Sequence, residues 1–531
     1  MNIIVIILIG LFFRLTYLFQ KTGNVLLPDL GGDSCNAYNI AYNISVGIGP
    51  KTNFILTYWF NHNKIPAMTD LYGVGYYYFL SLFLMVKDEF IFLRISSLLV
   101  GLSSILLAYF IGKIIHSKKL GYLSALIICF NFFHIENSTV VMRENFNLLL
   151  VQLFFLNLFL LKKHNYLFIT IGLITGYFAI TNSGWIILLI PFFIYIFLNF
   201  KKDSNLFYNL SLSSISFILI TLPWAYSSYQ YFGEIFFTIT SYVPFTENAG
   251  TMYWKTGGIP NKIEFLQNLN LTEYLKKHFI FGLKNLISGH KYVFPTFIYF
   301  LSFILLPTIF IAAWKLRSNG FILIIFTIIY FLGMCFTSYS TGGALFPRHY
   351  MPLLSTISIL LGYGLIYFNY KLTNFEVYKK IIRIVVNYKI LIILIPIFIT
   401  IAGINIKPSF WERNNEYFFK FGEEIKNVTN PDDVIMHHLT VSDAWCVSRR
   451  NYVNDLLDNK LPNHEIYDKN LLMKIEKYGI NYLLLDFSDH IYPRSDKGPP
   501  KRIINNYYSI LKLKEIIKDE INGFYLYKLI K

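Results

Sequence analysis

Long apolar stretches alternate along this chain with short polar segments. Eleven of the stretches approach the roughly 20 residues that a helix needs to cross a bilayer. They lie near 2–19, 90–112, 119–135, 146–161, 166–182, 184–200, 208–228, 293–314, 320–338, 349–369 and 388–406. The pattern therefore predicts a polytopic α-helical membrane protein with about 11 transmembrane helices.

A twelfth apolar stretch, residues 71–86, decides on which side of the membrane every later loop lies. If this stretch does not cross, the loops rich in lysine and arginine all lie on one side, which is the cytoplasmic side in membrane proteins. Their basic residues are Lys113, Lys118, Lys119, Lys162, Lys163, Lys201, Lys202, Lys315, Arg317, Lys371, Lys379, Lys380 and Arg383. We therefore expect a cytoplasmic N-terminus and a juxtamembrane helix at 71–86 in the outer leaflet.

This topology divides the chain into two parts. Residues 1–406 form the membrane domain, with large outer segments at 20–89 and 229–292. Residues 407–531 have ordinary soluble character and are predicted to form a small α/β domain outside the cytoplasm. Its predicted elements are strands at 434–438 and 481–487, helices near 412–427 and 468–478, and a hairpin at 516–529 around an Asn-Gly pair.

The composition supports a membrane protein and excludes several other classes. Hydrophobic residues make up 55% of the chain and charged residues only 15%, against about 25% charged in soluble proteins. This balance excludes a cytosolic enzyme and a disordered scaffold. The net charge of +16 lies mostly in short loops between apolar segments, so we expect no nucleic-acid partner. The cysteines occur singly, without metal-ligand spacing, and do not indicate a redox compartment; they are Cys35, Cys129, Cys335 and Cys446.

A set of ionisable residues lies at the predicted outer boundary of the membrane. Placing such a group at bilayer depth costs about 2.5–3.5 kcal/mol, so its presence calls for a role. The set comprises Arg14, Asp33, Arg94, Glu136, Arg143, Glu144 and Arg348. Interfacial anchoring or mutual ion pairing would explain single members. Acids and arginines together on one face suit a reaction in which a phosphate leaves.

Three features of the sequence stand out together: residues 27–50 read LPDLGGDSCNAYNIAYNISVGIGP, Arg94 opens the second predicted span, and residues 347–366 read PRHYMPLLSTISILLGYGLI. They resemble the membrane glycosyltransferases of the GT-C fold, in particular the branch of protein O-mannosyltransferases and the lipid A aminoarabinose transferase. In that family an acid follows the first helix, a D-x-x-x-x-Y-x-x-A pattern forms an amphipathic juxtamembrane helix, and an R-x-x-x-P segment lies near the last helices. A C-terminal soluble domain outside the membrane is a further shared feature.

The resemblance implies an inverting transfer of a sugar from a polyprenyl-phosphate-linked donor to an acceptor outside the cytoplasm. Asp33 matches the family's first-loop acid and is the candidate general base, although an aspartate at this position is also a common helix cap. Glu144 matches the acid of the second outer loop, where it would orient the acceptor or help to hold a metal; Glu136 competes for that role.

The remaining candidate residues would bind substrate. Arg94 and Arg348 are the expected phosphate contacts, with snorkelling to the interface as the alternative, and Arg143 lies beside Glu144. Arg14 would reach the same cavity, and Tyr38 would lie near the donor sugar.

The resemblance leaves the cofactor and the acceptor open. Some members of the family use a divalent metal ion, and His278 and His290 are the histidines of the second outer segment. The acceptor is a protein, a lipid or a cell-wall glycan. Asp33 is flanked by Gly32 and Ser34, whereas many relatives carry adjacent acids, and the W-W-D motif of oligosaccharyltransferases is absent. A lipid or glycan transporter and a non-catalytic binding subunit of the same fold are the competing interpretations.

Overall fold

The computed structural model describes most of the membrane domain and parts of the C-terminal domain. The described residues are 2–21, 25–28, 33–55, 65–69, 72–245, 267, 270–281, 308–340, 347–372, 415–437, 445–446, 448–454, 472–486, 511–519 and 524–530. The predicted helix at 388–406 and most of the one at 293–314 lie outside the described residues.

Helices dominate the first part of the chain. In order they are α1 (Ile3–Lys21), α2 (Asp33–Ser45), α3 (Gly75–Leu84), α4 (Phe90–Ile115), α5 (Lys118–Cys129), α6 (Phe132–Asn137), α7 (Arg143–Leu160), α8 (Leu167–Ala179), α9 (Ile186–Phe200) and α10 (Leu206–Phe232). Later come α11 (Leu271–Leu275), α12 (Arg317–Ser340), a 3₁₀ helix at Pro347–Leu353, α13 (Leu354–Leu372) and α14 (Asn415–Val428). Residues 308–315 and 472–478 are also helical.

Five apolar stretches in helical segments of the described residues are long enough to cross a bilayer. They are Ile3–Gln20, Phe90–Ile115, Leu206–Phe232, Arg317–Met334 and His349–Tyr367. Two shorter apolar helices, α8 and α9, accompany them. These helices agree with a polytopic membrane protein, and the predicted count of about 11 spans also includes stretches outside the described residues.

One predicted span differs from the structure. The apolar run 119–135 is two helices, α5 and α6, because the side chain of Asn131 accepts a hydrogen bond from the backbone N–H of His134 at 2.9 Å and caps the second helix. Such a cap favours a new helix start over continuation of the old one.

The stretch 71–86 forms the short helix α3. Its 10 residues extend only about 15 Å, which is too short to cross a bilayer. Tyr76, Tyr77 and Leu80 are buried, and Tyr177 of α8 donates a hydrogen bond from its hydroxyl to the carbonyl of Gly75 at 2.8 Å. The helix is therefore held against protein, as expected for a juxtamembrane element.

The eight described strands form two sheets. The strands are β1 (Lys51–Thr52), β2 (Phe54–Ile55), β3 (Ala67–Met68), β4 (Val434–His437), β5 (Asn451–Asn454), β6 (Ile480–Asp486), β7 (Leu513–Asp519) and β8 (Phe524–Leu529). The pair β1–β3 is antiparallel, and the other six have the order β2-β5-β4-β6-β8-β7. Strands β2, β5, β4 and β6 are parallel to one another. Strand β8 is antiparallel to β6, and β7 is antiparallel to β8. The structure thus agrees with the predicted strands at 434–438 and 481–487 and with the hairpin at 516–529.

The larger sheet includes a strand from the first outer segment. Phe54 and Ile55 of β2 pair with Tyr452 and Val453 of β5. A strand of two residues has no periodic signal of its own, so the sequence pattern does not reveal this pairing. Consequently, the first outer segment and the C-terminal domain are joined in one sheet.

Candidate functional site

Helix α2 begins at Asp33 and is almost completely enclosed. Ten of its 13 residues are buried, while the Asp33 side chain is half-buried. Next to Asp33, the Ser34 hydroxyl donates to the carbonyl of Val141 at 3.4 Å. This contact joins the start of α2 to the segment that precedes α7. The resemblance predicted an amphipathic juxtamembrane helix here, and the structure shows a helix that is enclosed in protein.

Helix α7 presents a second acid at its own start. Met142 is extended, with φ of −139°, and the helix begins at Arg143 with Glu144 in its first turn. The N-terminus of a helix favours negative charge because its free N–H groups point outward. Asp33 and Glu144 both occupy this kind of position, so two helix starts supply the two acids.

Both acids line one cleft. The lining comes from α2, from α3 with the residue Tyr72 just before it, and from the start of α7, and it consists of Asp33, Ala37, Tyr72, Tyr76, Tyr77, Val141, Met142, Arg143 and Glu144. The cleft is narrow, with a cavity volume of about 20 Å³, enough for about one water molecule.

Arg143 is the basic residue of the cleft lining. Its guanidinium carbon lies 3.7 Å from the centre of the Tyr72 ring, in a cation–π contact. It interacts electrostatically with Glu144 and with Asp33. The cleft therefore combines two carboxylates with a guanidinium that lies over an aromatic ring.

His349 contacts Glu144 from another part of the chain. Its Nδ1 lies 3.6 Å from Oε1 of Glu144, whose side chain is only 8% exposed. The backbone carbonyl of His349 accepts a hydrogen bond from the Tyr330 hydroxyl at 3.0 Å. Helix α12 thus holds the 3₁₀ helix Pro347–Leu353 in place beside the start of α7.

Arg94 is buried and bonded to backbone carbonyls. Its Nε donates to Val25 at 3.0 Å, its Nη1 to Thr139 at 2.8 Å and its Nη2 to Leu27 at 2.9 Å. Its exposed fraction is 0%. Arg94 therefore connects the segment before α2 with the segment before α7, and it does not line the cleft.

Of three other predicted site residues, two lie elsewhere and the side chain of the third is not described. Arg348 belongs to the 3₁₀ helix beside His349, and its side chain is outside the described part. Arg14 is fully buried; it donates to the Gly10 carbonyl at 2.8 Å and is hydrogen-bonded to His134. Glu136 accepts a hydrogen bond from the Tyr17 hydroxyl at 3.3 Å. Neither Arg14 nor Glu136 lines the cleft.

Tyr38 faces the C-terminal domain. Its hydroxyl donates to Asp88 at 2.9 Å, and the guanidinium of Arg449 lies 4.2 Å from its ring centre. Burial raises the pKa of the Tyr38 phenol above its ordinary value, although Arg449 opposes this shift. The phenol therefore stays protonated and serves as a donor. The structure places Tyr38 in a contact between elements and not in the cleft lining.

A divalent metal ion, which the resemblance left open, would have two candidate ligands in the cleft. Carboxylate oxygens suit a hard divalent cation, and both Asp33 and Glu144 border this space. Among the residues described, no group of three His, Cys, Asp or Glu side chains is placed to hold a metal ion. The side chain of His278 and all of His290 lie outside the described part. We therefore derive no step through a metal.

The structure adds residues that the sequence analysis did not single out. His349 directly follows the candidate Arg348, and Tyr72, Tyr76 and Tyr77 belong to the stretch 71–86 that was considered only for its topology. A disulfide joins Cys35 to Cys446. A signal for that pair existed, because these are the two cysteines that lie outside the apolar runs.

Solved structures show the fold. The archaeal oligosaccharyltransferase AglB from Archaeoglobus fulgidus, in complex with an inhibitory peptide and a dolichol-phosphate, is similar with a TM-score of 0.58 and 15% identity, over 91% of this chain and 69% of that one. ArnT from Cupriavidus metallidurans, bound to undecaprenyl phosphate, is similar with a TM-score of 0.57 and 11% identity, over 99% of this chain and 97% of that one. No protein-family model and no curated protein sequence matches the chain. Since these neighbours are glycosyltransferases of the GT-C fold, the chain has that fold.

Proposed function

We propose that this GT-C-fold membrane protein transfers a sugar from a polyprenyl-phosphate-linked donor to an acceptor outside the cytoplasm, with inversion at the anomeric carbon. One observation carries the proposal: Asp33, Arg143 and Glu144 border a single cleft at the starts of two helices. The two similar structures support the donor class, because one contains dolichol-phosphate and the other undecaprenyl phosphate.

Asp33 is the proposed general base. Its carboxylate removes the proton of the acceptor hydroxyl while the hydroxyl oxygen attacks the anomeric carbon. The bond between that carbon and the phosphate oxygen breaks, and polyprenyl phosphate leaves with the electron pair. Glu144 orients the acceptor, and His349 holds Glu144. The base and the leaving phosphate lie on opposite sides of the anomeric carbon. The acceptor oxygen therefore attacks opposite the bond that breaks, and the configuration of that carbon is inverted.

Arg143 is the proposed contact for the departing phosphate. A guanidinium is permanently charged and matches phosphate oxygens with its planar donors. The cation–π contact with Tyr72, at 3.7 Å from the ring centre, helps to hold the guanidinium beside the cleft. Arg348 is proposed as a second phosphate contact. We propose a positioning role for Arg94 because its side chain binds three carbonyls beside the cleft, and we assign no substrate role to Arg14, Glu136 or Tyr38.

The proposed orientation places the cleft and the C-terminal domain outside the cytoplasm and the N-terminus inside. Residues 54–55 and 452–453 are paired in one sheet, so they lie on the same side of the membrane. An even number of crossings must separate them, as in the predicted topology with a non-spanning α3. A disulfide between the same two regions is typical of an oxidising compartment outside the cytoplasm.

The test follows the release of polyprenyl phosphate by purified protein in nanodiscs, with a panel of polyprenyl-phosphate sugars and envelope extract as acceptor. We expect Asp33→Asn to lower turnover by about 10²-fold or more while donor binding persists, because general base catalysis contributes about 10²–10⁴-fold. Glu89→Gln is the matched control, since Glu89 is exposed and pairs with Lys87 at 2.6 Å.

Three outcomes would contradict the proposal. Equal turnover of wild type and Asp33→Asn would remove Asp33 as the base. Donor binding without turnover in either protein would favour a binding subunit, and movement of the intact donor across the bilayer would favour a transporter.

A further inference from the structure

The start of α2 is covalently joined to the C-terminal domain. Cys35 lies two residues after Asp33 and forms a disulfide with Cys446, with 5.6 Å between their Cα atoms. Cys35 has an exposed fraction of 0% and Cys446 of 6%. The bond therefore lies inside the contact between the two parts, close in sequence to the proposed base.

A group of asparagines forms a second attachment, with Asn53 at its centre. Asn39 and Asn43 of α2 donate from Nδ2 to Oδ1 of Asn53 at 3.0 and 2.6 Å, and the Asn53 amide donates from its Nδ2 to Asn451 of β5 at 3.0 Å. The backbone carbonyl of Asn53 accepts from the Tyr452 N–H at 2.9 Å. One residue thus links α2 with the edge of the C-terminal sheet.

Arg449 forms the third attachment. Its guanidinium carbon lies 4.2 Å from the ring centre of Tyr38, 4.8 Å from that of Tyr42 and 4.4 Å from that of Trp445. It also donates to the Tyr38 hydroxyl and lies 3.4 Å from Asp88. The backbone of Arg449 has φ of 58°, a left-handed conformation that is unfavourable for a residue other than glycine and persists where the surroundings enforce it.

We propose that the C-terminal domain positions Asp33 through these three attachments, and that the disulfide makes the proposed transfer dependent on an oxidising environment. The inference rests on the proposed function, because it takes Asp33 as the base. Cys35, Asn53 and Arg449 are positioning residues, since none of them lines the cleft. A misplacement of about 1 Å of a catalytic group costs roughly 10²-fold in rate, so a support this close to the base controls turnover.

Reduction opens the covalent attachment. A dithiol reductant supplies two electrons and two protons, the S–S bond breaks, Cys35 and Cys446 become thiols, and the dithiol is oxidised to its own disulfide. The asparagine and arginine contacts then hold α2 alone. We expect α2 to lose order while the membrane helices keep theirs.

The experiment compares wild type with the double variant Cys35→Ser/Cys446→Ser in nanodiscs, each with and without dithiothreitol. It measures hydrogen exchange of residues 33–45, donor binding and polyprenyl phosphate release, and mass spectrometry verifies cleavage of the bond. We expect reduction to increase exchange in 33–45 and to lower wild-type turnover by about tenfold or more, with donor binding retained. Dithiothreitol should not change the double variant, which controls for other effects of the reductant.

Arg449→Gln and Arg450→Gln form a matched pair for the non-covalent part. Arg450 donates to Thr429 and to the Lys426 carbonyl inside the C-terminal domain, whereas Arg449 contacts α2. Only Arg449→Gln should increase exchange in 33–45. Rescue of that protection by Arg449→Lys would be partial, because lysine lacks the planar group that stacks on rings.

The outcomes separate this inference from the proposed function. Unchanged exchange in 33–45 and unchanged turnover after verified cleavage of the disulfide would overturn the positioning role. If Asp33→Asn keeps wild-type turnover, the proposed base fails, while the exchange measurements still decide whether the C-terminal domain holds α2.

Discussion

At the scale of single residues, Arg94 and Arg143 show how the same residue type takes different roles. Arg94 donates to the carbonyls of Val25, Leu27 and Thr139, whereas Arg143 lies over the Tyr72 ring and borders the cleft. The first arrangement uses the guanidinium to join backbone segments. The second leaves a guanidinium beside two carboxylates, where we propose that the phosphate binds.

Exchange of each arginine for glutamine should separate these roles. Arg94→Gln should destabilise the protein by about 3 kcal/mol or more, because each hydrogen bond to a charged group contributes about 1.5–3 kcal/mol. Arg143→Gln should lower turnover by about 10²-fold, the usual cost of one lost donor to developing charge. Thermal unfolding in detergent and polyprenyl phosphate release measure the two effects. A larger stability loss for Arg143→Gln than for Arg94→Gln would contradict the assignment.

The contact between His349 and Glu144 leads to a second prediction at this scale. His349→Asn shortens the side chain and removes the approach of 3.6 Å to Glu144. Loss of one such interaction is worth about 1 kcal/mol, so the KM for the acceptor should rise about fivefold while donor binding stays the same. If His349 acts through Glu144, adding His349→Asn to Glu144→Gln should change little further. Additive effects would show independent roles.

At the scale of secondary structure, the apolar pattern predicted most described helices to within a few residues. Both differences have local causes. The helix predicted at 119–135 is divided by the Asn131 cap, and the helix predicted at 349–369 is preceded by the 3₁₀ helix Pro347–Leu353. Hydropathy averages over many residues and therefore does not detect single capping side chains. Hydropathy also does not predict that α2 is enclosed in protein, because this enclosure depends on distant parts of the chain.

Helices α8 and α10 pack closely at two glycines. A Cβ atom at Gly172 would collide with the backbone carbonyl of Ser213, and one at Gly176 would lie 3.0 Å from the carbonyl oxygen of Phe217. Small residues four positions apart allow helices in membranes to approach closely. This contact stabilises the wall behind α3, because Tyr177 of α8 bonds to Gly75.

Gly172→Leu should therefore push α8 and α10 apart and destabilise the protein by about 1–3 kcal/mol, the usual cost of an overpacked interior. Leu173→Ala is the control, because Leu173 is 36% exposed on the same helix. Thermal unfolding in nanodiscs checks the difference. Equal melting temperatures of the two variants would show that the two helices separate without cost.

At the scale of the whole molecule, the proposed orientation predicts which loops a membrane-impermeant reagent reaches. Lys87 lies in the first outer segment and Lys163 in a predicted cytoplasmic loop, and both side chains are exposed. Each cysteine for labelling is introduced into a variant that carries Cys129→Ser and Cys335→Ser and keeps the Cys35–Cys446 disulfide. In intact cells an impermeant maleimide should label Lys87→Cys, and it should label Lys163→Cys only after permeabilisation. The opposite pattern would reverse the orientation.

Local properties of the sequence were sufficient to predict that the protein is a polytopic membrane protein. Hydropathy over about 20 residues identifies membrane helices because each residue contributes independently to the cost of entering lipid. The cost of charge at bilayer depth also identified Asp33, Arg143 and Glu144 as residues that need a role. The spaced matches around Asp33 and Arg348 were enough to suggest the GT-C fold, which the solved structures support.

Only the tertiary structure decided which candidates lie together. It brings Asp33, Arg143 and Glu144 to one cleft, adds His349, and places Arg94 and Tyr38 in contacts that hold the surrounding elements. It also joins Cys35 to Cys446 across 411 residues of sequence and adds β2 to a sheet formed mainly by the end of the chain. Such contacts depend on how all the helices pack, and the hydrophobic pattern of any one segment contains no information about its distant partners.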